Sequence, residues 1–365
     1  MTRVKTENPL KQVLRFGQSL WYDGLVSPQD FEKLVSEDGI RGATTNPTIF
    51  EKALSSHEYD VQIRKALTSG RGPEKVYQDL AVRAVQGVAD VFDPVYQQTT
   101  GLDGYVSIEV SPLLARDTEG TLREARELHT LVSRKNIMIK VPATRQGVPA
   151  IRQLIAEGIN VNVTLIFSSV RYQEVMEAYL GGLEERAKAG KPVQNVASVA
   201  SFFVSRVDTA VDSLLQKKSD AVPHLKTLLG KAAIANSKIA YKEFESVFSG
   251  TRFKALESKG ARKQRPLWAS TGTKNPDYGD VFYVEALIGP ESVDTMPPAT
   301  MDAYRDHGQP ALRVRDAVQE AERVLRELEK TGVSLKGVTQ ELEEAGVKSF
   351  SDSYEKILKG IEAKR

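Results

Sequence analysis

From residue 18 onward, short apolar runs alternate with longer stretches in which apolar residues recur every three or four positions. The short runs read as buried strands and the longer stretches as amphipathic helices. The strand runs are SLWYDGL (19–25), GATTNP (42–47), GYVSIEVSP (104–112), NIMIKVP (136–142), GINVNVTLIF (158–167), NVASVASFF (195–203), RPLWAST (265–271) and SVDTMP (292–297). Helical patterns fall between them, such as REARELHTLVSRK before the fourth and VRYQEVMEAYLGGLEERAK after the fifth. Eight strands separated by helices favour a closed (β/α)8 TIM barrel over an open doubly wound sheet.

The spacing is uneven in two places. Residues 48–103 and 204–264 are too long for one crossover helix each, so they predict additional helices, one of them over HLKTLLGKAAIANSKIAYKEFESVF (224–248). The tail from about 311 carries two more helical patterns, ALRVRDAVQEAERVLRELEKTG and FSDSYEKILKGIEAKR, expected to pack on the outside of the barrel. With no repeat, low-complexity stretch or Pro/Gly-rich linker, residues 1–365 read as one elaborated domain.

Composition narrows the function classes. Fifty Lys and Arg against 48 Asp and Glu leave a net charge of +2, no global field for nucleic acid or an anionic membrane, so any anion must be held locally. Cysteine is absent, which removes disulfides, thiolate chemistry and cysteine-ligated metal and fits a reducing cytoplasm. The start, MTRVKTENPLKQVLRFGQSL, has no signal-peptide pattern, and nowhere is there an apolar stretch long enough for a membrane span. His57, His129, His224 and His307 lack metal-ligand spacing, and neither a P-loop nor a dinucleotide glycine fingerprint occurs.

The polar residues inside the apolar runs carry the chemistry. Asp23, Asn46, Glu109, Lys140, Thr164 and Ser201 each lie near the C-terminal end of a different run. In a barrel those ends converge on the face where active sites form, and the rest of the interior is filled by branched apolar side chains. Each residue also has an ordinary explanation. Lys140 could blunt an edge strand, Glu109 could be its structural ion-pair partner, and Asp23 before Gly24 and Asn46 before Pro47 could shape turns. Thr164 is a good strand former and Ser201 a small filler. Their shared position argues for function. A lysine among apolar neighbours can act as a free amine, attack a carbonyl and form a Schiff base. The iminium then makes retro-aldol cleavage feasible if an acid/base group moves protons, and Glu109 and Asp23 are candidates. Arg206 and Lys274 follow the sixth and seventh runs and would bring cations to the same rim, where barrels often bind a substrate phosphate.

Five segments in order, GATTNPTIF, GYVSIEVSP, NIMIKVPAT, GINVNVTLIFS and ASFFVSRVD, together resemble the transaldolase family. The resemblance runs from WYDGL to MPPAT and on into the C-terminal helices. It implies a (β/α)8 barrel that uses a Schiff-base lysine without metal or organic cofactor, in the non-oxidative pentose phosphate pathway. Lys140 would take the ketose carbonyl. Glu109 would activate a water and help form and hydrolyse the imine, and Asp23 would take and return the proton of the C4 hydroxyl. Asn46, Asn162, Thr164 and Ser201 would bind the dihydroxyacetone unit or position the water. Arg206, with Ser270 and Lys274, would hold the phosphate. The shorter members carry an arginine in a GASFRN-like segment after strand seven, whereas ASTGTKN offers a lysine, a point charge in place of a bidentate fork. The implied partners are phosphorylated sugars, with no nucleic acid or membrane, for a cytoplasmic monomer or homodimer. Two rivals remain at this level: an aldolase of the same superfamily releasing free dihydroxyacetone, and a sugar-phosphate binding protein that has lost catalysis.

Overall fold

The computed structural model describes residues 7–56, 59–219 and 223–365, so residues 1–6 and His57, both read above, lie outside it. Each apolar run forms a strand: β1 (Gln18–Asp23), β2 (Gly42–Thr44), β3 (Tyr105–Glu109), β4 (Ile137–Pro142), β5 (Val161–Ile166), β6 (Ser198–Phe203), β7 (Arg265–Ala269) and β8 (Ser292–Met296). All pair in parallel with their sequence neighbours, and β8 closes on β1, giving the expected barrel with added helices. Because helices cover the outside and side chains fill the inside, these strands are buried on both faces, which is why they read as continuous apolar runs. Gly42 marks a tight point: a Cβ there would lie 2.7 Å from the Tyr105 carbonyl oxygen and 2.7 Å from the Trp21 ring.

The long insertions are helical. Residues 48–103 hold Pro47–Leu54, Asp60–Thr68 and the 26-residue Pro73–Gln98, and residues 204–264 hold Ser205–Ser219, Ala232–Ser249 and Thr251–Glu257. The helix expected from 224 begins at Ala232, because Pro223–Leu228 forms a 3-10 turn first. In the tail, Val318–Lys330 packs on Ala232–Ser249 at the barrel's flank. The final helix, Leu335–Glu362, instead packs against Pro47–Leu54, Pro73–Gln98, Ser205–Ser219 and β5, which brings it to the C-terminal mouth of the barrel. Gly346 lets it come close: a Cβ there would meet Leu165 Cδ2 at 2.9 Å.

The opposite end of the barrel is closed by a buried ionic cluster. Asp103, fully buried, accepts hydrogen bonds from Arg265 Nη2 (2.9 Å) and Ser19 Oγ (2.7 Å), and Arg265 Nη1 donates to Ser19 Oγ (2.9 Å). Removing one member of such a network strands the other charge. Asp103→Ala should therefore cost about 3–5 kcal/mol of stability in a denaturant titration while turnover per folded molecule stays near the parent value. A loss of turnover without a loss of stability would refute this structural role.

Candidate active site

β4 pairs with β3 on one side and β5 on the other, so Lys140 is not an edge lysine. It lies opposite Glu109 in one pairing and Asn162 in the other, and only 4% of it is exposed. Its Nζ donates to the Thr45 carbonyl at 3.0 Å, sits 3.4 Å from Glu109 Oε2, and lies 5.8 Å from the centre of the Phe350 ring on the final helix. Aromatic face, carboxylate and carbonyl thus surround a single amine.

The two carboxylates beside it differ in their surroundings. The Glu109 side chain is 5% exposed. Burial pushes its pKa up to about 7, against the pull of Lys140. Asp23 ends β1, and its Oδ1 accepts from Thr44 Oγ1 at 2.7 Å. Burial raises its pKa as well, while Lys140, Thr44 and Arg206 hold it down. Thr44 is fixed in turn by Thr295 Oγ1 at 2.6 Å, so three strands orient the Asp23 carboxylate.

Asp23, Lys140, Thr164, Ser201 and Asn46 line one cleft of about 430 Å³. Thr164 Oγ1 is buried and has no hydrogen-bond partner in the protein. A bulge in β5 between Val163 and Ile166, with Leu165 at φ +59°, re-aims the strand at this point, a device common beside active sites. Asn46 caps the Pro47–Leu54 helix, with its Oδ1 accepting from the Ile49 N–H at 2.9 Å. Asn162 is not on the cleft surface. Its amide donates to Ser107 Oγ (2.9 Å) and accepts from Ser201 Oγ (2.7 Å), making a buried layer that supports Ser201 from below.

The cationic end of the same cleft carries Arg206, Ser270 and Lys274. The Arg206 guanidinium stacks 5.3 Å from the Phe203 ring. Burial lowers the pKa of both cations, and Arg206 lowers that of Lys274 further. Among the described residues neither makes an ion pair. Two adjacent cations without carboxylate partners are suited to a dianionic phosphate. Ser270 holds a left-handed backbone, φ +56°, and its Oγ lies 3.0 Å from Ser205 Oγ, so the loop after β7 is pinned to the start of the helix after β6.

The structure therefore gathers eight of the ten sequence-derived residues on one cleft, with Glu109 in its wall and Asn162 beneath it. Sequence reasoning missed Thr44, the Thr45 carbonyl and Phe350. Thr44 stands two positions before the singled-out Asn46 in GATTNP, which was a usable signal for it, whereas the Thr45 carbonyl offered none. Phe350 sits in an ordinary helical stripe and offered none. Among the described residues no group of His, Asp and Glu is placed to hold a metal ion, and no helix is long and apolar enough to cross a membrane.

Known proteins resemble this chain over nearly its whole length. The family model described as Transaldolase/Fructose-6-phosphate aldolase matches residues 20–361. A transaldolase of Thermobifida fusca is 46% identical over 357 residues, covering 96% of each chain. A transaldolase of Trichodesmium erythraeum is 41% identical over 370 residues, covering 98% of this chain and 97% of its own. A protein named transaldolase 2 from a Nostoc species is 42% identical over 371 residues, with the same two coverages.

Proposed function

The chain belongs to the transaldolase/fructose-6-phosphate aldolase family and is a transferase with transaldolase activity, and we propose that it works through a Schiff base on Lys140. The observation that carries this reading is the position of Lys140: an amine buried in a doubly paired strand, on the floor of a cleft whose far end holds two cations that make no ion pair among the described residues. The reaction is reversible transfer of dihydroxyacetone from sedoheptulose 7-phosphate to glyceraldehyde 3-phosphate, giving erythrose 4-phosphate and fructose 6-phosphate.

In this reading Arg206 and Lys274 hold the donor's phosphate and so set its carbonyl against Lys140. The free amine adds to the C2 carbonyl to give a carbinolamine. Glu109 as the acid protonates the departing hydroxyl, water leaves, and the nitrogen lone pair forms the iminium. Asp23 takes the proton of the C4 hydroxyl as the C3–C4 bond breaks, and the electron pair moves into the enamine. Addition to the acceptor aldehyde runs these steps backwards, with Asp23 returning its proton. Water activated by the Glu109 carboxylate then hydrolyses the new iminium. Phe350 over the amine limits the water that can reach the enamine, which favours waiting for an acceptor over protonation and release.

Product analysis tests the reading. With fructose 6-phosphate alone, free dihydroxyacetone should form at under about a hundredth of the rate at which sedoheptulose 7-phosphate appears once erythrose 4-phosphate is added, a split of ~3 kcal/mol between the two fates of the enamine. Equal rates with and without acceptor would make the enzyme an aldolase instead.

A further inference from the structure

A phosphate site made of Arg206 and Lys274 works best when both cations are in place before the anion arrives, yet different elements carry them. Arg206 is the second residue of the Ser205–Ser219 helix, whereas Lys274 lies in the loop between β7, ending at Ala269, and the short Phe282–Ala286 helix. Neither has an acidic partner among the described residues, and burial and the nearby Arg206 both lower the Lys274 pKa. Like charges repel, so an untethered loop would relax outward and take Lys274 with it. Keeping the lysine beside Arg206 requires an anchor on the loop.

The root of the loop is fixed by Ser270 on Ser205 and by Thr271, which donates to Asp294 Oδ1 at 2.9 Å. Beyond the root, residues 273–279 close on themselves. Thr273 Oγ1 donates to the Gly279 carbonyl at 2.8 Å, and the Tyr278 N–H donates to the Asn275 carbonyl at 3.1 Å. Lys274 therefore moves with this closed segment, and the segment is tied down by Tyr278, whose hydroxyl donates to Asp212 Oδ2 at 2.7 Å. Asp212 lies about a turn and a half beyond Arg206 on the same helix, so this one bond joins the two cation-bearing elements. The carboxylate is itself held: it is buried, and its Oδ1 accepts the Gly230 N–H at 3.0 Å. Gly230, at φ +69°, leaves room for the tyrosine, because a Cβ there would lie 2.8 Å from Tyr278 Cζ. The Asp208–Tyr283 bond of 3.0 Å repeats the arrangement one helical turn earlier but fastens the Phe282–Ala286 helix rather than the loop. At the far end of the loop Asp280 pairs with His307, an exposed contact of the kind that contributes little.

We propose that Tyr278 is a positioning residue for donor selectivity: anchored on Asp212, it holds Lys274 beside Arg206 and preorganises the site for a phosphorylated sugar. The inference rests on the reading of Arg206 and Lys274 as the phosphate ligands. Tyr278 does not line the cleft and acts only through the lysine. A hydrogen bond to a buried carboxylate is of the strong, charge-assisted kind, which suits a bond that must resist repulsion between two cations. With the loop already ordered, the phosphate binds without first having to order it. A donor that lacks the phosphate gains nothing from the anchor, so the effect falls on the choice of donor and not on the imine chemistry at Lys140.

The test compares kcat/KM of the full-length enzyme for fructose 6-phosphate and for free fructose, with erythrose 4-phosphate saturating as acceptor. Tyr278→Phe keeps the ring and removes the bond. It should lower kcat/KM for fructose 6-phosphate about tenfold, the scale of one hydrogen bond to a charged group, and leave that for fructose within about twofold of the parent. Asp212→Asn should retain most of the parent selectivity, since its amide can still accept from Gly230 and donate to the tyrosine oxygen. Lys274→Ala should lose at least as much on fructose 6-phosphate as Tyr278→Phe does, and adding Tyr278→Phe to it should lose nothing further, because the two residues act as one unit. Equal losses on both donors, or a loss that adds in full to that of Lys274→Ala, would overturn the anchor. An unchanged preference for fructose 6-phosphate over fructose in Lys274→Ala would sink the phosphate assignment itself, and the anchor with it.

Discussion

Lys140→Ala should form no adduct with fructose 6-phosphate and borohydride, whereas the parent chain should gain the mass of one reduced dihydroxyacetone unit. Turnover should fall on the order of 10⁴-fold or more, the scale expected when a covalent route is lost and only binding and acid/base groups remain. The variant should still fold. Lys140 is the opposing charge that holds Glu109 down, so its removal lets burial carry that carboxyl further above about 7 into the neutral acid, which needs no ionic partner. Lys140→Arg is the informative companion, because it keeps a cation beside Glu109 but cannot form the imine. It should trap nothing and remain as inactive as the alanine variant. Intact-protein mass reads the adduct and circular dichroism confirms the fold. An equal adduct on Lys140→Ala would move the Schiff base to another lysine and leave Lys140 a structural ion-pair member.

The legibility of this site in the sequence followed from a conflict between residue type and neighbours. A lysine within IMIKVP, or a glutamate within YVSIEV, contradicts the apolar filling of a parallel strand, and such contradictions concentrate where function requires them. The eight strands were readable for the same reason: double burial demands unbroken apolar runs. What stayed hidden had no local signature. The Thr45 group that meets Lys140 is a backbone carbonyl, which every residue type carries. The β5 bulge places a leucine at positive φ, where glycine or asparagine is the usual marker. Asn162 shares the inner face of β5 with Thr164 two positions on, but lies one layer further from the mouth, where it bonds Ser107 and Ser201. Phe350 meets Lys140 across 210 positions of chain, and its apolar neighbours at helical spacing read as any packed stripe. The tail was expected on the exterior wall. Its last helix reaches the mouth because Gly346 fits flush on the bulged Leu165.

Glu109→Gln separates proton transfer from mere charge pairing. The side chain keeps its size and one acceptor oxygen but can neither give nor take a proton, so turnover should drop about 10²–10³-fold, within the range of a lost general acid/base. The pH dependence carries the sharper information. With its pKa raised to about 7 by burial, Glu109 is mainly acid below that pH and mainly carboxylate above it. Imine formation, which uses the acid to expel hydroxide as water, should therefore slow as pH rises through 7 in the parent enzyme. Imine hydrolysis, which uses the carboxylate to activate water, should instead speed up over the same interval. Rapid-quench trapping of the adduct from pH 5.5 to 8.5 measures the first, and its decay on dilution into acceptor-free buffer measures the second. In Glu109→Gln both rates should be low and flat across this window. If the opposing limbs persist in the variant, they belong to Asp23, whose pKa burial also raises. Glu109 would then be only the counter-charge that lets an ammonium exist in the wall of the barrel.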